Sequence, residues 1–144
     1  MRHANRTQYV SALFVSAEPQ NRLLIRNVFR DAGWRLFEAR DRKGALDCLK
    51  RQPLQVVIAS AHLPKWPWKT ALEDLQRMAC PPQLVVTSRL ADDSLWAEVL
   101  NCGGYDLLAE PFDRSEVERV IASARRHFDP PLTGVAPLQA AAAF

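Results

Sequence analysis

The sequence predicts an α/β fold, a doubly wound five-stranded parallel sheet with five helices. Strand-like and helix-like segments alternate five times along the chain, and each helical connection is long enough to cross over between parallel strands. Val56-Val57-Ile58-Ala59 is a short unbroken apolar run, as a strand covered on both faces requires. The 144 residues are 48% hydrophobic and 24% charged, which bounds the chain to one domain with a real core and excludes a largely disordered one.

The elements follow in order. Val10 to Val15 reads as a buried first strand closing at Ser16, and Pro19 stands in a first helical turn. Leu24, Ile25, Val28 and Phe29 repeat at helical spacing until Gly33 ends the helix. Trp34 to Ala39 is the second strand, and Ala45, Leu46 and Leu49 mark a short second helix. After the third strand, Thr70-x-x-Glu73 has the form of a capping box that opens the third helix. Leu84-Val85-Val86 is the fourth strand, and Asp92 or Asp93 caps a fourth helix stopped by Gly103-Gly104. Tyr105 to Ala109 is the fifth strand, and Asp113-x-x-Glu116 caps a fifth helix with Val117, Val120, Ile121 and Ala124 on one face. Residues 1–9 read as a basic leader, 10–128 as the folded domain and 129–144 as a flexible Pro- and Ala-rich tail.

Charge is uneven. Residues 1–51 carry 11 basic and 5 acidic side chains, the remainder 8 and 11, so the formal charge of +3 describes a basic first third. Arg22, Arg26 and Arg30 recur every four residues, a solvated helical face or, with Arg2 and Arg6, one that contacts phosphates or an acidic partner. Cys48, Cys80 and Cys102 are widely spaced, form no C-x-x-C, and read as free thiols of a reducing compartment. No apolar run approaches the roughly 18 residues a membrane helix needs. Tyr9 to Ala17 imitates a secretory signal, but cleavage there would remove the most strand-like run of the first half, so the expectation is a cytoplasmic protein with no membrane association.

In such sheets function gathers at the carboxyl ends of the strands, here Ser16-Ala17-Glu18, Ser60, Thr87-Ser88 and Glu110-Pro111. Glu18-Pro19 with Arg22, Asp31-Ala32-Gly33-Trp34, Pro64 four residues after Ser60, Thr87, and Gly103-Gly104-Tyr105-Asp106-Leu107-Leu108-Ala109-Glu110-Pro111-Phe112 occur in order and at consistent spacing. Together they resemble the receiver domain of bacterial two-component response regulators. The resemblance implies a flavodoxin-like sheet with strand order 2-1-3-4-5 and phosphoryl transfer onto an aspartate. That chemistry needs an ionised acceptor on the third strand, an acid pair holding Mg²⁺ after the first, a hydroxyl after the fourth and a lysine after the fifth.

Aligned by that resemblance, the acid pair falls on Ser16 and Ala17, the acceptor on Ser60 and the lysine on Glu110; only Thr87 is retained. The aromatic switch position falls on Leu107. A serine hydroxyl is essentially un-ionised without a base, and a glutamate repels a phosphoryl group. The expectation is a degenerate, pseudo-receiver domain: not an enzyme, with no cofactor and no metal.

Ser16, Ser60 and Thr87 are expected to leave a small hydroxyl-lined pocket, which either is merely filled by small side chains or takes a neutral ligand. Trp66 and Trp68, in Pro64-Lys65-Trp66-Pro67-Trp68, are read either as a cap on that pocket or as exposed anchors for a partner. A Ser60–His62 nucleophile pair lacks an orienting acid, and a flavin or nucleotide site lacks a glycine in the loop after the first strand. The function expected is a stand-alone, phosphorylation-independent signalling module acting by protein–protein contact. The resemblance puts its partner or homodimer surface on the fourth helix, fifth strand and fifth helix, with Trp96 and Tyr105 as further candidate contacts. The alternative is a basic nucleic-acid-associated module, for which no base-reading element remains. A residual phospho-acceptor or small-ligand sensor stands behind both.

Overall fold

The computed structural model describes residues 9–129, so the structure of residues 1–8 and 130–144, and with it nearly all of the expected leader and tail, lies outside the described residues. The strands are β1 (Ser11–Val15), β2 (Arg35–Ala39), β3 (Val56–Ser60), β4 (Gln83–Ser88) and β5 (Asp106–Ala109), and the helices are α1 (Arg22–Ala32), α2 (Arg42–Arg51), α3 (Trp68–Gln76), α4 (Asp93–Cys102) and α5 (Arg114–Arg126). A 3₁₀ turn, Pro19–Asn21, leads into α1. The sheet is parallel throughout, in the order β2-β1-β3-β4-β5.

Alternation along the strands sorts the core into two layers. Ala12, Phe14, Val56, Ile58, Val85 and Leu108 face α1 and α5, where Ile25, Phe29, Val117 and Ile121 cover them. Leu13, Val15, Val57, Ala59, Leu84 and Val86 face α2, α3 and α4, where Leu49, Leu72, Leu75 and Val99 do so.

Local chemistry sets the helix ends. Asp41, Asp92 and Asp113 accept hydrogen bonds from the backbone N–H of Gly44, Leu95 and Glu116, at 2.9, 2.8 and 2.9 Å. Gly33 ends α1 at φ 74°, and the Trp34 N–H reaches back to the Phe29 carbonyl while the two rings meet edge to face. The capping box expected at Thr70 does not form. Helix α3 starts at Trp68 behind Pro67, with no side-chain cap, because the buried Trp68 draws the first turn against the core.

The chain runs from β1 outward to β2, then returns past β1 to β3. That reversal places a cleft at the carboxyl ends of β1 and β3, as the doubly wound topology requires.

Candidate functional site

The cleft has a volume of ≈ 510 Å³ and is walled by the turns after β1, β3, β4 and β5. On the β1 side, the buried Ser16 hydroxyl accepts from the Glu18 N–H at 3.1 Å and closes a tight turn. Arg22 ties the same turn to α1 by donating to the Ser16 carbonyl. Ala17 is exposed and carries no donor or acceptor side chain.

Ser60 ends β3 beside Thr87 of β4. Its half-buried hydroxyl accepts from the His62 N–H at 3.3 Å. The His62 ring meets the Ser88 hydroxyl, Nε2 to Oγ 3.3 Å, while Ser88 also accepts from the Leu90 N–H. The hydroxyls in the cleft wall are therefore Ser16, Ser60 and Ser88, not Thr87.

Thr87 is turned toward Glu110 and donates to its carboxylate at 2.8 Å. Glu110 is folded inward, with its side chain only 7% exposed, and takes a second hydrogen bond from Asn21 at 3.2 Å. Leu107 is buried and packs in the core layer of α2, α3 and α4. Across the mouth, Arg89 Nη2 lies 2.7 and 2.8 Å from the two Glu18 oxygens, and its Nε is 3.9 Å from Glu110. Arg89 and Asn21 belong to no motif or periodic stripe of the sequence, yet both bond carboxylates at the cleft. Their one visible signal is position, Arg89 directly after a strand end and Asn21 before the first turn of α1.

The tryptophan expectations need correcting. Trp66 is 0% exposed and Trp68 7%, both inside the core layer, so neither is a surface anchor. Neither lines the cleft, where Leu63 and Pro64 form that wall. Lys65 takes the left-handed conformation, φ 64°, and this reversal drops Trp66 into the core, where its indole N–H donates to Asp74 at 2.8 Å. Trp96 is 47% exposed on α4, its N–H on Asp106, with Leu100 one turn further at 37%. Tyr105 is half-buried and directs its hydroxyl to Ser123 and His127 on the α5 side.

The arginine stripe of α1 is largely absorbed internally. Arg22 and Arg26 both bond Glu38 of β2, and Arg30 and Arg114 flank Asp31. The Arg26 hydrogen bond, against burial and with help from Arg22, holds the Glu38 carboxyl below its ordinary range.

The sequence matches the response regulator receiver domain over residues 12–122. This chain belongs to that receiver family. Solved structures agree on the fold. The receiver domain of the Francisella response regulator 1452 has a TM-score of 0.74 at 19% identity, covering 83% of this chain and 99% of that one. Full-length FixJ of B. japonicum gives 0.75 at 20%, covering 84% of this chain and 60% of that one. The receiver domain of a Pseudomonas aeruginosa sensor histidine kinase, described with a magnesium ion coordinated in its active-site cleft, gives 0.69 at 22%, covering 81% and 97%. Among curated protein sequences none matches this one.

A hard divalent ion in a receiver cleft wants several oxygen ligands with charge to spare. Here the cleft walls offer two carboxylates, Glu18 held by a guanidinium and Glu110 held by a hydroxyl and an amide. Among the described residues no three metal-ligating side chains converge. The residues present do not fit the ion.

Proposed function

We propose that this receiver is a phosphorylation-independent module that carries no catalytic activity and works by protein–protein contact in a two-component-type pathway. The observation that carries the reading is the Thr87–Glu110 pair. The hydroxyl that a transferring phosphoryl group would use is already bonded to a carboxylate, and that carboxylate stands where the family's lysine would pair with phosphate. Among the described residues no acid or base side chain is hydrogen-bonded to Ser60, at the acceptor position, whose hydroxyl accepts from the His62 N–H.

Partner contact falls on α4, β5 and α5, where Trp96 and Leu100 present an exposed apolar pair at i, i+4. Among the described residues the arginine stripe of α1 does not favour the nucleic-acid reading, since Arg22, Arg26 and Arg30 are engaged by acidic side chains.

The test is a backbone amide NMR titration with Mg²⁺ and beryllofluoride, alongside mass spectrometry after incubation with a small phosphodonor. The expected result is no saturable shift at Ser60, Thr87 or Glu110 and no added mass. A saturable shift there overturns the reading. Trp96→Asp, used as bait beside the wild-type chain, is expected to lose the partners that the wild type retains.

A further inference from the structure

Two carboxylates converge on one side of the cleft from segments far apart in sequence. Glu18 follows β1 and Glu110 follows β5, yet both reach the single amide nitrogen of Asn21, at 3.5 and 3.2 Å. Glu110 is almost fully buried, and its two hydrogen bonds come from neutral groups. Carboxylates brought this close repel unless a positive charge stands beside them. The permanent positive charge in the cleft wall is Arg89, whose guanidinium meets both oxygens of Glu18 and lies 3.9 Å from Glu110.

We propose that Arg89 is the resident cation of the cleft, supplying from within the chain the positive charge a divalent metal would bring, and strapping the turn after β1 to the turn after β4. A guanidinium suits this place for physical reasons. It stays protonated at any physiological pH, needs no octahedral set of oxygens, and meets both oxygens of Glu18 while lying 3.9 Å from Glu110. Its side chain is 62% exposed, so the ion pair is solvent-screened and adds little to folding stability. Its consequence is exclusion. A divalent ion entering from solvent meets a fixed positive charge at the mouth and finds Glu18 already paired with it. The inference goes beyond the partner-binding reading and does not depend on it.

A Mn²⁺ titration followed by paramagnetic broadening of backbone amides tests the proposal on the full chain, as wild type, Arg89→Ala, Arg89→Lys and the Glu18→Gln/Arg89→Ala double variant. Removing one unit charge a few ångströms from a divalent ion is expected to tighten Mn²⁺ binding in Arg89→Ala by roughly tenfold or more. The broadening should centre on residues 16–18, 88–90 and 110. Arg89→Lys keeps the charge without the planar fork and is expected to hold Mn²⁺ less tightly than Arg89→Ala, and adding Glu18→Gln is expected to abolish the gain. Equal Mn²⁺ affinity in wild type and Arg89→Ala overturns the proposal, as does broadening centred elsewhere or an Arg89→Lys variant that matches Arg89→Ala. A wild-type response to beryllofluoride speaks instead to the proposed function, so the two failures are distinguishable.

Discussion

Replacing Trp66 by phenylalanine separates a buried structural post from a surface anchor. The indole is fully buried, and its N–H donates at 2.8 Å to Asp74, whose carboxylate also accepts from Arg42 at 3.0 Å. A hydrogen bond to a charged acceptor contributes about 1.5–3 kcal/mol. Shrinking the ring inside a close-packed layer adds about 1 kcal/mol. Trp66→Phe is therefore expected to lower stability by about 2–4 kcal/mol, a large share of the roughly 5–15 kcal/mol a domain holds. Trp96→Phe is the control, because it removes the same kind of bond, indole N–H to Asp106 at 3.1 Å, from a half-exposed site. Its expected effect is within about 0.5 kcal/mol. Urea unfolding followed by far-UV circular dichroism reads both variants without relying on tryptophan fluorescence. Equal costs for the two substitutions, or a Trp66→Phe effect under about 0.5 kcal/mol, would refute the argument.

Two further outcomes follow from local geometry. Gly104→Ala is expected to destabilise by about 1–3 kcal/mol although its backbone is ordinary, because a Cβ there meets Val99 Cγ1 at 2.6 Å and the Val99 carbonyl at 3.1 Å; a shift in urea midpoint measures it. Glu38 has its carboxyl held below 4.5, first by the Arg26 hydrogen bond against the opposing effect of burial, so its contribution is complete above that value and fades as pH falls through the depressed one. The stability difference between wild type and Glu38→Gln is therefore expected to shrink as pH falls from neutral to below 4.5, and a constant difference contradicts the Arg26–Glu38–Arg22 clamp.

How much of this was legible in the sequence depends on how far apart the causes lie. The strands and helices follow from apolar periodicity and caps within a few residues, so Asp113 and Gly33 act as their neighbours imply. The Thr70–Glu73 pattern was equally local yet failed, because the burial of Trp68, a tertiary demand, set the start of α3 two residues earlier. The tryptophan loop misleads for the same reason. Two tryptophans among prolines and a lysine look like a surface, and only the left-handed turn at Lys65 and the Asp74 acceptor make Trp66 interior. At the strand ends, Ser16, Ala17, Ser60 and Glu110 follow from register, and all four line the cleft. What fills the space between them does not, since Arg89 and Glu18 are 71 residues apart and no local pattern pairs them.

The charges around the cleft are coupled, and that coupling bears on what a single reversion would do. Under the proposed reading, placing an aspartate at Ser60 would add a third carboxylate to a cleft that already sets two against one guanidinium. Uncompensated like charge raises a carboxyl pKa, so the new acid would be less ionised and a weaker nucleophile than its counterpart in an intact site. Thr87 would remain bonded to Glu110, and Arg89 would still stand between the approaching phosphate's metal and its ligands. Reversal therefore has to be collective. An acid on β3 becomes useful only with a cation at position 110 and acids after β1. Under the proposed reading a single reversion leaves the Thr87–Glu110 and Glu18–Arg89 pairs in place, so the site is recovered only when several positions change together.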